Sequence, residues 1–185
     1  MSAFGGIVSC KYKITKKLVL MLNKVFLEVV VANGIDKKAL KILKSKKNLR
    51  LIDSSKISFN EVWKFNSLDN FTLMQSEDKK VFSKKDFKIV SKTQPSKSQF
   101  DNLMFAFNVC RYTKSNAIIL ASNKSTIGIG SGQPSRLDSC EIAINKMNNF
   151  SKINNEIVAA SDASFPFVEG IEKLDQSGAR AIIQP

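Results

Sequence analysis

The strongest constraint on the fold is an alternation: stretches with one apolar helical face follow short β-rich runs along nearly the whole chain, with turn residues between them. Such a pattern commits a chain to sheets covered by helices, because each element has a surface that only another element can bury. The clearest helix starts at Ser96-Lys-Ser-Gln99, a capping box in which hydroxyl and amide satisfy free N–H groups of the first turn. Phe100, Leu103, Met104, Phe107 and Cys110 follow at helical spacing and mark its buried face. Beyond it, 116–121 and 126–130 read as strands around a turn at 122–125. A helix at 136–147, a strand at 156–160, a helix at 168–176 stopped by Gly178, and a strand at 179–183 complete the series. The order helix-strand-strand-helix-strand-helix-strand predicts a layered α/β unit with a mostly buried sheet.

The first half continues the theme. Residues 15–24 can form a helix, and 26–32 are a β-rich run ending at Asn33-Gly34. Asp36 caps a helix with Leu40, Ile42 and Leu43 on its apolar side, and 49–52 form another short strand. Two strands, 57–65 and 70–75, are predicted around a polar turn at 67–69. The polar stretch 76–98 contains Pro95 and is the best boundary, giving halves 1–92 and 93–185. At 185 residues, one domain or two small packed halves are the natural sizes.

Composition excludes several chemistries. The chain contains no histidine, so no Ser-His-Asp, Cys-His or His-metal site can be built from these residues alone. Cys10, Cys110 and Cys140 are far apart and form no C-x-x-C pair, which predicts no metal and suits a reducing cytoplasm. The apolar runs are too short and interrupted to span a bilayer, and Cys10, Lys11 and Lys13 interrupt any secretory h-region, so no membrane partner is predicted. The net charge of +13 invites a nucleic-acid reading. Against it, Arg50, Arg111, Arg136 and Arg180 are the arginines, the other basic residues are scattered lysines, and no basic stripe with interleaved aromatics is present. A solvated basic surface, with no nucleic-acid partner, is the expectation.

Four segments depart from core patterning. In Ser2-Ala-Phe-Gly-Gly6 the paired glycines permit close backbone approach to a ligand, or simply a tight turn. Lys114-Ser-Asn-Ala117 lies where a helix hands over to a strand; Asn116 offers an acceptor and two donors for a carboxamide or carbonyl, or caps the helix end. The run from Gly128 to Arg136, with Gly130, Gly132 and Gln133, can cradle an anion with N–H groups while Arg136 supplies a fork for carboxylate or phosphate. It is not the dinucleotide fingerprint, because Gln133 stands where the third glycine belongs. In the segment from Ala160 to Gly170, Phe165 and Phe167 flank Pro166, forming either an aromatic lip on a pocket or a plug for the core.

The stretches SAFGG, EVVVA followed by ALKIL, LMFAFNVCRYTKSNAI, TIGIGSGQPSRLDS and SDASFPF, in this order, resemble the transformylase domain of the bifunctional AICAR transformylase / IMP cyclohydrolase family. The resemblance runs from Ser2 to Pro185. It implies two cytidine-deaminase-like halves with mixed sheets covered by helices and no zinc. It implies formyl transfer from the co-substrate 10-formyltetrahydrofolate to the exocyclic amine of AICAR, in a cytoplasmic homodimer of purine biosynthesis. AICAR contacts are implied at Gly5, Glu28 and Asn116, with Asn116 orienting the formyl carbonyl or the carboxamide; reduced-folate contacts are implied at Arg136, Leu137, Ser164 and Glu169. The usual F-F-P-F-R-D run is here Ser164-Phe-Pro-Phe-Val168-Glu169, with the first phenylalanine and the arginine replaced. The family's Lys-His pair and its cyclohydrolase domain fall outside these residues, so this chain alone is expected not to turn over. A non-catalytic module that complements a separately encoded piece is the alternative.

Overall fold

The computed structural model describes residues 4–58, 63–149 and 156–185. The chain divides into two compact units between Asp78 and Lys79, earlier than the boundary at 92/93 expected from the sequence. The reason is aromatic packing. Phe82 and Phe87 each meet the Phe107 ring edge-on at 5.1 Å, which commits this polar-looking stretch to the second unit. A short 3-10 turn, Lys84–Asp86, aims them there, and Asp86 accepts hydrogen bonds from the Ser83 N–H and hydroxyl at 2.8 and 2.9 Å.

The first unit holds β1 (Gly6–Cys10), α1 (Lys16–Leu22), β2 (Leu27–Ala32), α2 (Lys37–Lys44) and β3 (Arg50–Asp53). Its three strands pair in parallel in the order β1-β2-β3. Both helices start at side-chain caps: the Thr15 hydroxyl accepts from the Leu18 N–H, and Asp36 accepts from the Lys38 N–H. Ile14, Val19, Leu27, Val30, Ala39 and Leu43 form the core of this unit. The strand β1, a sheet edge, had no counterpart in the sequence reading.

A separate hairpin follows, β4 (Trp63–Leu68) and β5 (Phe71–Ser76), with every residue of both strands exposed. The strand expected over 57–65 instead starts at Trp63; Ile57 and Ser58 are not in a strand, and 59–62 lie outside the described residues. The turn moves to Asp69, whose φ of +48° is a left-handed conformation that aspartate tolerates.

The second unit comprises α3 (Lys97–Cys110), β6 (Ile118–Ser122), β7 (Ser125–Gly130), α4 (Arg136–Asn148), β8 (Ile157–Ser161), α5 (Glu169–Gln176) and β9 (Ala179–Ile183). The sheet order is β7-β6-β8-β9, with β6 antiparallel to both neighbours and β8 parallel to β9. Every residue of β6 is buried, and the two-residue period of the strand divides it between two layers. Ala117, Ile119 and Ala121 pack with Leu103, Ala106, Phe107 and Cys110 of α3. Ile118 and Leu120 pack with Cys140, Ala143 and Met147 of α4 and Leu174 of α5. The layered α/β expectation holds, and each fully buried aliphatic side chain contributes about 1.5–3 kcal/mol.

Burial also fixes thiol chemistry. The Cys110 thiol is pushed up to about 12 and the Cys140 thiol to about 11, in both cases chiefly by desolvation. Both should therefore resist a disulfide reagent such as DTNB at pH near 8 until the protein unfolds; rapid labelling of either in the native state would contradict this packing.

Candidate functional site

Strand register gathers three of the four segments at one end of the second sheet. Ile118, the first residue of β6, pairs with Gly130 at the end of β7 and with Ser161 at the end of β8. Residues 114–117, 130–136 and 161–164 therefore lie side by side, two strand ends and the start of α4 converging on the turn that carries Asn116.

Asn116 is half-buried and preceded by a cis peptide bond. Its side-chain Nδ2 donates to the Gln133 carbonyl at 2.9 Å and to the Pro134 carbonyl at 3.0 Å. Its backbone carbonyl accepts from the Ser139 hydroxyl at 2.8 Å. Both amide hydrogens are thus committed, and among the described residues no donor reaches Oδ1. With both hydrogens engaged, Asn116 does not donate to a ligand carbonyl in this arrangement, and what it presents is an acceptor.

Next to it lies Asp162, which the sequence reading did not single out. Its Oδ1 accepts from the Ala117 N–H at 3.0 Å and from Arg136 Nη2 at 3.0 Å. The pair is largely shielded, each side chain being 13% exposed. Burial pushes the Asp162 carboxyl upward, but hydrogen bonds from Ser115, the Ala117 N–H and Arg136, with the Arg136 charge, outweigh it and hold the group below its ordinary value. Arg136 also donates from Nε to the Ser161 hydroxyl at 3.0 Å and from Nη1 to the Ser164 carbonyl at 3.3 Å. The fork expected to face a ligand anion is thereby engaged inside the protein, tying α4 to the end of β8.

The glycine run has a different purpose from an anion cradle. A Cβ on Gly128 would stand 2.1 Å from the Ala143 carbonyl oxygen, and one on Gly130 1.8 Å from that of Ser139. These glycines let α4 lie directly on β7. Gly132, at φ +70°, makes the turn, and its N–H donates to the Lys114 carbonyl at 2.8 Å. The helix then begins at Ser135, whose hydroxyl accepts from the N–H of Leu137 at 3.1 Å.

The aromatic segment divides between its two readings. Phe165 is half-buried against the α4 and α5 core and its N–H is held by Gln184 Oε1 at 2.9 Å, so it plugs. Phe167 is 73% exposed, its ring facing solvent. Ser164 and Glu169, the first residue of α5, are exposed beside it, and Leu137 is half-buried. In the first unit, Gly5 adopts φ +73°, and a Cβ there would stand 2.9 Å from Glu28 Oε1, so these two expected AICAR contacts are neighbours. Phe4 stacks on Phe26 at 4.7 Å beside them.

The sequence reading missed Asp162, Ser161 and Ser139. The available signal was an aspartate directly closing an apolar strand, a place where a carboxylate needs a partner. Among the described residues no cluster of three or more His, Cys, Asp and Glu side chains could hold a metal ion, and no helix is long and apolar enough to cross a membrane.

A family model described as AICARFT/IMPCHase bienzyme matches residues 1–146. The Bifunctional purine biosynthesis protein PurH of Chlorobium phaeobacteroides (strain BS1) is 38% identical over 184 residues, covering 100% of this chain and 35% of that protein. The protein of the same name from Aquifex aeolicus (strain VF5) is 40% identical over 185 residues, 100% of this chain and 36% of its own. That of Wigglesworthia glossinidia brevipalpis is 40% identical over 185 residues, with 100% and 35% covered. The chain thus spans about a third of the length of these curated relatives. A family match over most of the chain, with relatives 38–40% identical along its whole length, leads to one conclusion: the chain belongs to the AICARFT/IMPCHase bienzyme family.

Proposed function

We propose that this chain contributes the AICAR- and folate-facing part of a formyl-transfer site in purine biosynthesis. The reading rests above all on Asn116 Oδ1, an acceptor left open while the side-chain Nδ2 and the backbone carbonyl of the same half-buried residue are engaged. AICAR carries donors of the required kind in its exocyclic amine and its carboxamide. That amine is a weak nucleophile because its lone pair is conjugated into the ring and carboxamide. An oriented acceptor on one of its N–H bonds holds the nitrogen against the formyl carbon of 10-formyltetrahydrofolate and raises its electron density. As the new N–C bond forms, the bond from formyl carbon to folate nitrogen breaks, the amine gives up a proton, and the folate nitrogen takes one up.

An amide oxygen is too weak a base to take that proton, and a chain with no histidine has no imidazole to do so. The proton-transfer pair is assigned to residues beyond these 185. Leu137, Ser164 and Glu169, with the exposed Phe167 ring, serve the reduced folate in this reading, and Gly5 and Glu28 are AICAR contacts by the family resemblance. Arg136 acts by holding the Ser164 carbonyl rather than by gripping folate with its whole fork. The intact enzyme is a cytoplasmic homodimer on the same reading.

The experiment is equilibrium binding of AICAR to the isolated chain, with ribose 5-phosphate as competitor and labelled formyl transfer measured in parallel. AICAR should bind saturably, ribose 5-phosphate should displace it poorly, and no formyl product should form. Efficient displacement by ribose 5-phosphate would remove the base-recognition role of Asn116, and turnover by this chain would overturn the assignment of proton transfer elsewhere.

A complementation module is the second reading, favoured by the exposed hairpin. Trp63, Phe65, Leu68, Phe71, Leu73 and Met74 are each at least half exposed, more apolar surface than an isolated hairpin keeps in water without a partner. Co-expression with the remaining length of a relative should then restore formyl transfer, and failure to associate would end this reading.

A further inference from the structure

An acceptor is useful only if it stays where the ligand needs it, and the turn carrying Asn116 is held from the neighbouring strand. The backbone directly after Asn116 is held by one residue at both its N–H and its carbonyl. The Ala117 N–H donates to Asp162 Oδ1 at 3.0 Å, and the Asp162 N–H donates back to the Ala117 carbonyl at 3.3 Å. On the other side of Asn116, the nearby Ser115 side chain helps to hold the same carboxylate in its charged form. From the other direction, Arg136 joins Asp162 to the start of α4, three residues before Ser139, whose hydroxyl holds the Asn116 carbonyl.

We propose that Asp162 is a positioning residue for Asn116: by holding the Ala117 N–H and carbonyl and anchoring them to Arg136, it keeps Nδ2 on the Gln133 and Pro134 carbonyls and Oδ1 open toward the ligand. The proposal rests on the reading of Asn116 as the AICAR acceptor. A carboxylate suits this task where a neutral side chain would not. One oxygen serves two donors at once, a backbone N–H and a guanidinium, and its charge compensates the shielded Arg136. Asparagine at 162 keeps the size but loses that charge and places an NH2 group where one oxygen had been.

A merely structural Asp162 and a positioning Asp162 differ in how they couple to Asn116. The test is a double-mutant cycle on the full chain, reading AICAR affinity for wild type, Asp162→Asn, Asn116→Ala and the double variant. Positioning predicts that Asp162→Asn weakens AICAR binding about tenfold or more in the wild-type background. It also predicts a change of less than about twofold once Asn116 is alanine. An equal loss in both backgrounds overturns it. A second readout needs no ligand and so separates this proposal from the AICAR reading: hydrogen exchange of the Asn116 side-chain amide, followed by NMR. Exchange should speed up about tenfold or more in Asp162→Asn, as an amide released from two carbonyls does; an unchanged rate overturns the proposal even if AICAR never binds.

Should Asp162→Asn show no cooperative melt, wild type supplies the answer. The charged and titratable groups around the carboxylate are the Arg136 guanidinium from α4 and the Cys110 thiol from α3, which burial pushes up to about 12. The Asn116 side-chain amide and Ala117 N–H resonances should then move together with the Asp162 titration, at a midpoint below 3.8. Asn116 resonances that stay flat across that titration overturn the proposal.

Discussion

Replacing Gly130 by alanine is expected to lower the stability of the second unit by about 3 kcal/mol or more, the larger end of what overpacking costs. The added Cβ would lie 1.8 Å from the Ser139 carbonyl oxygen and 2.6 Å from its carbon. Both are backbone atoms of α4, so no side chain can rotate out of the way; the helix itself must lift from β7. Lifting α4 at Ser139 also pulls the hydroxyl that holds the Asn116 carbonyl, so lost stability and a disturbed acceptor arrive together. For a unit of this size the melting temperature should fall by roughly 10–20 °C. Gly132→Ala is the control: its φ of +70° strains an alanine, but its Cβ would meet nothing closer than the Lys114 side chain at 3.6 Å. That variant should lose only about 1 kcal/mol. Melting curves in which the two variants coincide would contradict the packing reason for Gly130.

The second large effect concerns the shielded ion pair. Asp162→Ala leaves the Arg136 guanidinium, 13% exposed, without its counter-charge and the Ala117 N–H without its acceptor. Removing one partner of such a pair costs about 3 kcal/mol. Arg136→Met should cost less, because Asp162 keeps the Ala117 N–H as donor. The pH dependence follows from the direction of the shift. The Asp162 carboxyl is held below its ordinary 3.8, so its contribution is fully present above that value and is lost as pH falls through the lower, folded value. Denaturant titrations should therefore show wild type and Asp162→Asn converging in stability below about pH 4. A gap between them that stays constant into strong acid would mean that the carboxylate charge is not what matters.

Local features were legible in the sequence and long-range ones were not. The Asp36 and Ser96 caps could be read because each bond closes within three residues. The buried face of α3 was placed correctly through Leu103, Phe107 and Cys110 because a helix period needs no knowledge of its partner. The part of the glycine run at 128 and 130 that packs against α4 could not be read for the opposite reason. A Gly-x-Gly run fits an anion loop and a close helix contact equally well, and only the position of α4 decides. Arg136 shows the same limit, since its partners at 161, 162 and 164 are brought near by strand pairing. Phe82 and Phe87 sit in a lysine-rich stretch that looks like a linker until Phe107 is placed beneath them.

The most direct test of Asn116 as the AICAR acceptor is calorimetric titration of AICAR into the chain and into its Asn116→Ala variant, with matched melting curves to show that both are folded. Saturable heat from the first, and binding at least about tenfold weaker in the second, is the predicted result. Equal binding by the two proteins, or none by either, would contradict it.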